Sequence, residues 1–129
     1  MPGRFLLDTN IIIALFAAKR KVLQRLRRAE RVFVPVIALG ELIYGANKSG
    51  QARNNLARIE EFAAANTVLF CDLETARQYG RIKDRLRRKG RPLPENDIWI
   101  AALARQHRLT LVSRDAHIAE VENLPVKAW

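Results

Sequence analysis

The chain has 129 residues, 49% of them hydrophobic, which is enough for one packed core, and a formal charge of +10. Its longest apolar run, Ile11–Ala18, falls short of the about 20 residues that cross a bilayer, and the apolar stretch after Arg4 is too short for a signal peptide. The single cysteine, Cys71, excludes an internal disulfide and a Cys-based zinc site; it is expected as a small buried hydrophobe in a cytoplasmic protein. The positive excess, with a sequence pI of about 10.8, points to a polyanionic partner: nucleic acid, an anionic membrane surface or an acidic protein.

Arg4–Leu7 reads as a first strand, followed by a helix to about Ala18 that Thr9 or Asn10 would cap. A basic helix is expected from about Lys21 to Ala29, and Arg31–Val34 as a second strand ending at Pro35. Val36–Ala46 is apolar almost throughout and reads as a buried helix. Ala52–Ala65 has the 3.6-residue period, with Leu56, Ile59, Phe62 and Ala63 on one side. Thr67–Phe70 is a third strand. Glu74–Lys89 is an amphipathic helix whose inner face is marked by Ala76, Tyr79, Ile82 and Leu86, and Gly90 ends it. After the loop RPLPEN come a helix over Asn96–Gln106, a fourth strand over Leu109–Val112 and a short edge strand within Leu124–Trp129. Strands separated by helices imply an α/β domain with a mainly parallel sheet of four or five strands and helices on both faces.

Positive charge is concentrated. Lys19, Arg20, Lys21, Arg25, Arg27, Arg28 and Arg31 form one group; Arg81, Lys83, Arg85, Arg87, Arg88, Lys89 and Arg91 form another. Solvated helix faces would account for either group alone; both together, with this net charge, favour a polyanion.

Four acids sit against this background beside apolar segments. Asp8 separates two core-seeking runs, and Asp115 follows the fourth strand in LTLVSRD. In a parallel sheet both then lie at carboxyl strand ends, where ligand sites form. Glu41 is the one charged residue between Val36 and Asn47, and Asp97 opens the helix Asn96–Gln106. Each has an ordinary structural explanation: Asp8 as a helix cap, Glu41 as a partner to a buried arginine, Asp97 as a first-turn acid favoured by the helix dipole, Asp115 as a turn residue. Clustered carboxylates, however, resist shared ionisation unless a cation joins them, and oxygen ligands without His or Cys favour Mg²⁺ or Mn²⁺. An acidic metal pocket in a basic surface suits a phosphodiester substrate. His107, at a helix end, and His117, on the surface, support no competing site, and neither a Walker A loop nor a dinucleotide fingerprint is present. The DTN triplet also occurs in haloacid-dehalogenase phosphatases, but their second aspartate, two residues on, is Asn10 here.

Four segments, in order and at this spacing, make the chain resemble the PIN-domain ribonucleases, and most closely the VapC-type toxins of bacterial toxin–antitoxin pairs. They are LLDTN, Pro35 through GELIYGA, IKDRLRRKGRPLPENDIWIAALA, and LTLVSRD. The resemblance runs nearly the whole chain, so residues 1–129 are expected as a single PIN domain with a three-layer architecture. It implies an Mg²⁺- or Mn²⁺-dependent endoribonuclease acting on structured RNA, transfer RNA foremost. The catalytic, metal-binding quartet would be Asp8, Glu41, Asp97 and Asp115, with Thr9, Asn10, Asn96 and Ser113 as supporting polar groups. Ser113 stands where threonine is common in the family. Within the basic clusters Arg20, Arg27, Arg85, Arg87, Arg88, Lys89 and Arg91 would hold RNA phosphates. The resemblance further implies a homodimer and a cognate antitoxin that inserts a segment into the acidic groove. The helix around Leu42–Ala46 would contribute to that surface or, more simply, be buried. The competing readings are a nucleic-acid-binding module whose acids are structural, a nuclease acting on DNA, and a PIN protein of housekeeping RNA processing.

Overall fold

The computed structural model describes residues 3–129. The strands are β1 (Arg4–Leu7), β2 (Arg31–Pro35), β3 (Thr67–Leu69), β4 (Thr110–Val112) and β5 (Val126–Lys127). They form one sheet in the order β3-β2-β1-β4-β5, and every pairing is parallel. The helices are α1 (Thr9–Phe16), α2 (Arg20–Arg28), α3 (Val36–Asn47), α4 (Ala52–Ala65), α5 (Leu73–Lys89) and α6 (Glu95–Gln106). Right-handed crossovers place α1 to α4 on one face, because β1, β2 and β3 progress in one direction across the sheet. The chain then returns from β3 to β4, so α5 and α6 cover the other face. Helices on both faces explain why β1 is apolar without alternation: Phe5, Leu6 and Leu7 are all buried.

The direction of progress reverses between β1 and β4, which are adjacent, with Leu7 opposite Val112. The carboxyl ends of these two strands are therefore the switch point at which open α/β sheets hold ligands. Small residues let α6 approach closely: Ala101, Ala102 and Ala104 are fully buried. Tyr79 of α5 stacks on Trp99 of α6 with ring centroids 4.0 Å apart. The start of α5 is set by a capping box between Asp72 and Thr75, and Gly90, at φ 67°, ends it in the left-handed conformation that glycine adopts freely.

Four local expectations are corrected. Asp8, rather than Thr9 or Asn10, is the N-cap of α1. Cys71 is exposed, because it follows the outermost strand, β3, where nothing packs beyond it. The helix α3 is buried on one side only: Ala38, Leu39 and Ala46 face inward, while Tyr44 is 66% exposed. On α5 the inward position is Thr75, not Ala76; its hydroxyl bonds to the Gln106 side chain, so a polar group is accommodated in the core. A 3₁₀ turn over Ala116–Glu120 was not legible beforehand. No helix among the described residues is long and apolar enough to cross a membrane.

Candidate active site

Asp8 stands one residue beyond β1 and is 4% exposed. Its Oδ1 accepts the Thr9 N–H at 2.8 Å, and its Oδ2 accepts the Ser113 hydroxyl at 2.7 Å. Asn10 Nδ2 lies 3.5 Å from Asp8 Oδ2 and 3.4 Å from Ser113 Oγ. Ser113 Oγ in turn accepts the Asp115 N–H at 3.1 Å, and Asn10 Oδ1 accepts the Arg114 N–H at 3.1 Å. The ends of β1 and β4 are thus tied by side chains, and the cost of burying Asp8 is partly offset by bonds to both of its oxygens. Asp8 caps α1 and faces this cluster at the same time.

Glu41 projects from α3, where Thr9 donates its hydroxyl to Oε1 at 2.9 Å. Asp97 lies in the first turn of α6. Its carboxyl is pushed up from 3.8 to about 6, first by burial and then by the negative charges of Asp8, Asp115 and Glu41. Asp97 therefore feels all three other acids, which three separate elements deliver from distant parts of the chain. Asp115 caps the 3₁₀ turn, and its carboxyl is held below its ordinary value chiefly by the backbone N–H of His117, which donates to Oδ1 at 2.9 Å.

Thr9, Asn10 and Ser113 join this network. Asn96 is exposed beside Asp97 and takes part in none of these bonds. The sequence reading missed the contact of His117, whose Nδ1 lies 3.0 Å from Asp115 Oδ1 although the ring is open to solvent. The D-x-H spacing was the available signal, since a tight turn folds the ring back onto the aspartate.

As the side chains stand, no group of three among the described residues closes around a point that could hold an ion. The donor set nevertheless suits a hard cation: four carboxylates face a common field, and Asp97 resists ionisation within it. Mg²⁺ keeps several waters and needs only one or two direct carboxylates, so open spacing is compatible with it.

A groove of about 420 Å³ leads away from the acids between α1, α3 and α4, lined by Thr9, Ile13, Phe16, Glu41, Leu42 and Arg58 among others. The Arg58 guanidinium lies over the Phe16 ring, 4.6 Å from its centroid. Of the residues expected to hold phosphates, Arg20 and Arg27 are exposed on α2 and Arg91 is exposed after α5. Arg85 pairs with Glu122, Arg87 and Arg88 with Asp84, and Lys89 with Glu120 and Glu122.

The PIN domain family matches residues 5–124. The chain is 40% identical over 116 residues to Ribonuclease VapC2 of Haemophilus influenzae strain Rd, covering 87% of this chain and 86% of that one. It is 37% identical over 131 residues to the tRNA(fMet)-specific endonuclease VapC of Shigella flexneri, covering 98% of each. Among solved structures, the DNA-bound VapBC of Salmonella typhimurium superposes with a TM-score of 0.91 at 32% identity, covering 100% of this chain and 99% of that one. VapBC-1 of nontypeable H. influenzae superposes with a TM-score of 0.90 at 28% identity, covering 98% of both. The chain belongs to the PIN domain family and, within it, to the VapC ribonucleases.

Proposed function

We propose that this chain is a metal-dependent endoribonuclease that hydrolyses phosphodiester bonds in structured RNA, and that it is the toxin of a type II toxin–antitoxin pair. The observation that carries the reading is the convergence of four acids at the switch point of the sheet: Asp8 is tied to Ser113, Ser113 to the Asp115 N–H and Glu41 to Thr9, and burial and the charges of these three acids together raise the carboxyl of Asp97. Repulsion of this kind is relieved by a cation, and carboxylate oxygens select Mg²⁺ or Mn²⁺. Asp8, Asp97 and Asp115 would hold the ion most directly, with Glu41 as a further ligand or as the group that orients the attacking water. An ion held there would supply an activated water and stabilise charge on the leaving oxygen. The surrounding residues position the acids: Ser113 and the Thr9 N–H fix the two oxygens of Asp8, and the Thr9 hydroxyl fixes Glu41. Transfer RNA is the substrate class that the names of the Shigella and Salmonella relatives support.

A cognate antitoxin is supported by the solved VapBC complexes that this chain resembles. The groove beside Glu41, with Ile13 at its mouth, is suited to receive an apolar segment ending in a basic residue that reaches the acids. A homodimer is part of the same reading.

One observation favours a second reading. Asp8 and Asp115 each cap a helical segment, which is what structural acids in a plain RNA-binding module would do. Sequencing the fragments of total RNA after incubation with partner-free protein and Mg²⁺ separates the two. The nuclease reading expects a small set of discrete new ends that Asp8→Asn abolishes. RNA that is retarded on a gel but stays intact supports the binding module.

A further inference from the structure

The two basic helices hold their charge differently. On α5, Arg85, Arg87, Arg88 and Lys89 all find acids within the fold. The α2 helix, RKVLQRLRR, carries five basic residues and no acid, and none of its cations has an ionic partner among the described residues. Lys21 and Arg25, and again Arg25 and Arg28, lie one turn apart, an arrangement of like charges that destabilises a helix. The helix dipole favours cations in the last turn of α2 but does not extend to Lys21 or to a second element.

A second element is nevertheless present. The end of α2 borders a cleft of about 320 Å³ lined by Arg25, Arg28, Lys127, Phe5 and Trp129 among others. Lys127 comes from β5, about a hundred residues later in the chain, and its ammonium lies over the Phe5 ring, 5.7 Å from the centroid. Phe5 and Trp129 pack edge to face at 5.1 Å and form a rigid floor. Three exposed cations from two elements thus converge on one concavity with no acidic side chain lining it. Phe5 precedes Asp8 by three residues along β1, so the cleft lies roughly 10 Å from the acids measured along the strand.

We propose that the Arg25–Arg28–Lys127 cleft holds a backbone phosphate of the RNA substrate outside the segment being cut. The inference rests on the ribonuclease reading above. Its chemistry is that of phosphate positioning: guanidinium forks and an ammonium recognise the backbone and read no sequence.

The test uses the full-length triple variant Arg25→Gln/Arg28→Gln/Lys127→Gln. Cleavage of transfer RNA is compared with cleavage of a short oligonucleotide spanning only the cut site, across a range of salt concentrations. For transfer RNA the variant is expected to raise KM about tenfold and to lower the slope of log affinity against log salt by about 1, the share of one phosphate. Variant and parent should differ little on the short substrate. The triple variant Arg85→Gln/Arg87→Gln/Arg88→Gln, whose cations already have acidic partners, should shift KM less. Equal KM and salt slope for parent and cleft variant, in protein that cleaves RNA, overturn the cleft proposal alone. Equal losses on long and short substrates also overturn it. If the parent neither binds nor cleaves RNA, the ribonuclease reading itself fails. Binding of duplex DNA, lost in the cleft variant while RNA cleavage is unchanged, would assign the cleft to DNA and overturn the proposal.

Discussion

Replacing Asp97 by asparagine should make the folded protein more stable while abolishing its chemistry. The carboxyl of Asp97 moves from 3.8 to about 6, chiefly through burial and then through Asp8, Asp115 and Glu41. A shift of about two units corresponds to about 3 kcal/mol against the charged form. Asp97 is partly exposed, and solvent screening reduces this to about 1–2 kcal/mol. The sign follows from proton binding. The folded state holds this proton more tightly than the unfolded state, so wild-type stability is favoured below pH 3.8, declines between there and about pH 6, and is level above. Asparagine keeps the shape and removes the charge. In paired thermal melts of metal-free protein, Asp97→Asn should therefore match wild type near pH 4 and exceed it near pH 7.5 by about 4–8 °C. Saturating Mg²⁺ should raise the wild type at pH 7.5 and leave the variant nearly unmoved, because an ion bound to the folded state alone stabilises it by mass action. A gap that is the same at both pH values, or a variant less stable than wild type at pH 7.5, would refute the claim that the acids repel one another.

Three further outcomes follow from the same geometry. Ser113→Ala removes the hydroxyl that donates to buried Asp8 Oδ2 and should cost about 1–3 kcal/mol in denaturant melts, with a fall in kcat/KM. Thr9→Val keeps the shape but loses the bond to Glu41; cleavage should drop about tenfold while stability changes by less than about 1 kcal/mol, because the pair is only part-buried. Cleavage of RNA should weaken as pH falls through about 6, where Asp97 takes up its proton. The midpoint should move lower as Mg²⁺ is raised, because metal and proton compete for the same oxygens.

Much of this was legible in the chain because the relevant residues break a pattern. Asp8 interrupts two apolar runs, and Asp97 precedes a run of Ile, Trp and Ala; in the structure the charges of Asp8, Asp115 and Glu41 all act on Asp97. The strands were readable because Arg31–Pro35 and Thr67–Leu69 are short β-branched runs with clear boundaries. What escaped depends on partners far away in sequence. The exposure of Cys71 follows from β3 lying at the edge of the sheet, a fact of strand order that no local window contains. The open side of α3 carries Ile43 and Tyr44, residues that look like core until the packing around them is known. The pairing of Arg85 and Lys89 needs Glu120 and Glu122, more than thirty residues on, and Lys127 joins α2 from farther still.

The central claim is that the four acids form a metal site that cuts RNA. The most direct measurement is the rate at which purified, partner-free protein cleaves transfer RNA, first with Mg²⁺, then with excess EDTA, then with Mg²⁺ restored, and with Asp8→Asn in parallel. Cleavage should stop in EDTA, return with the ion and never appear in Asp8→Asn. Cleavage that persists in EDTA or in the variant, or intact RNA under every condition, would contradict the claim.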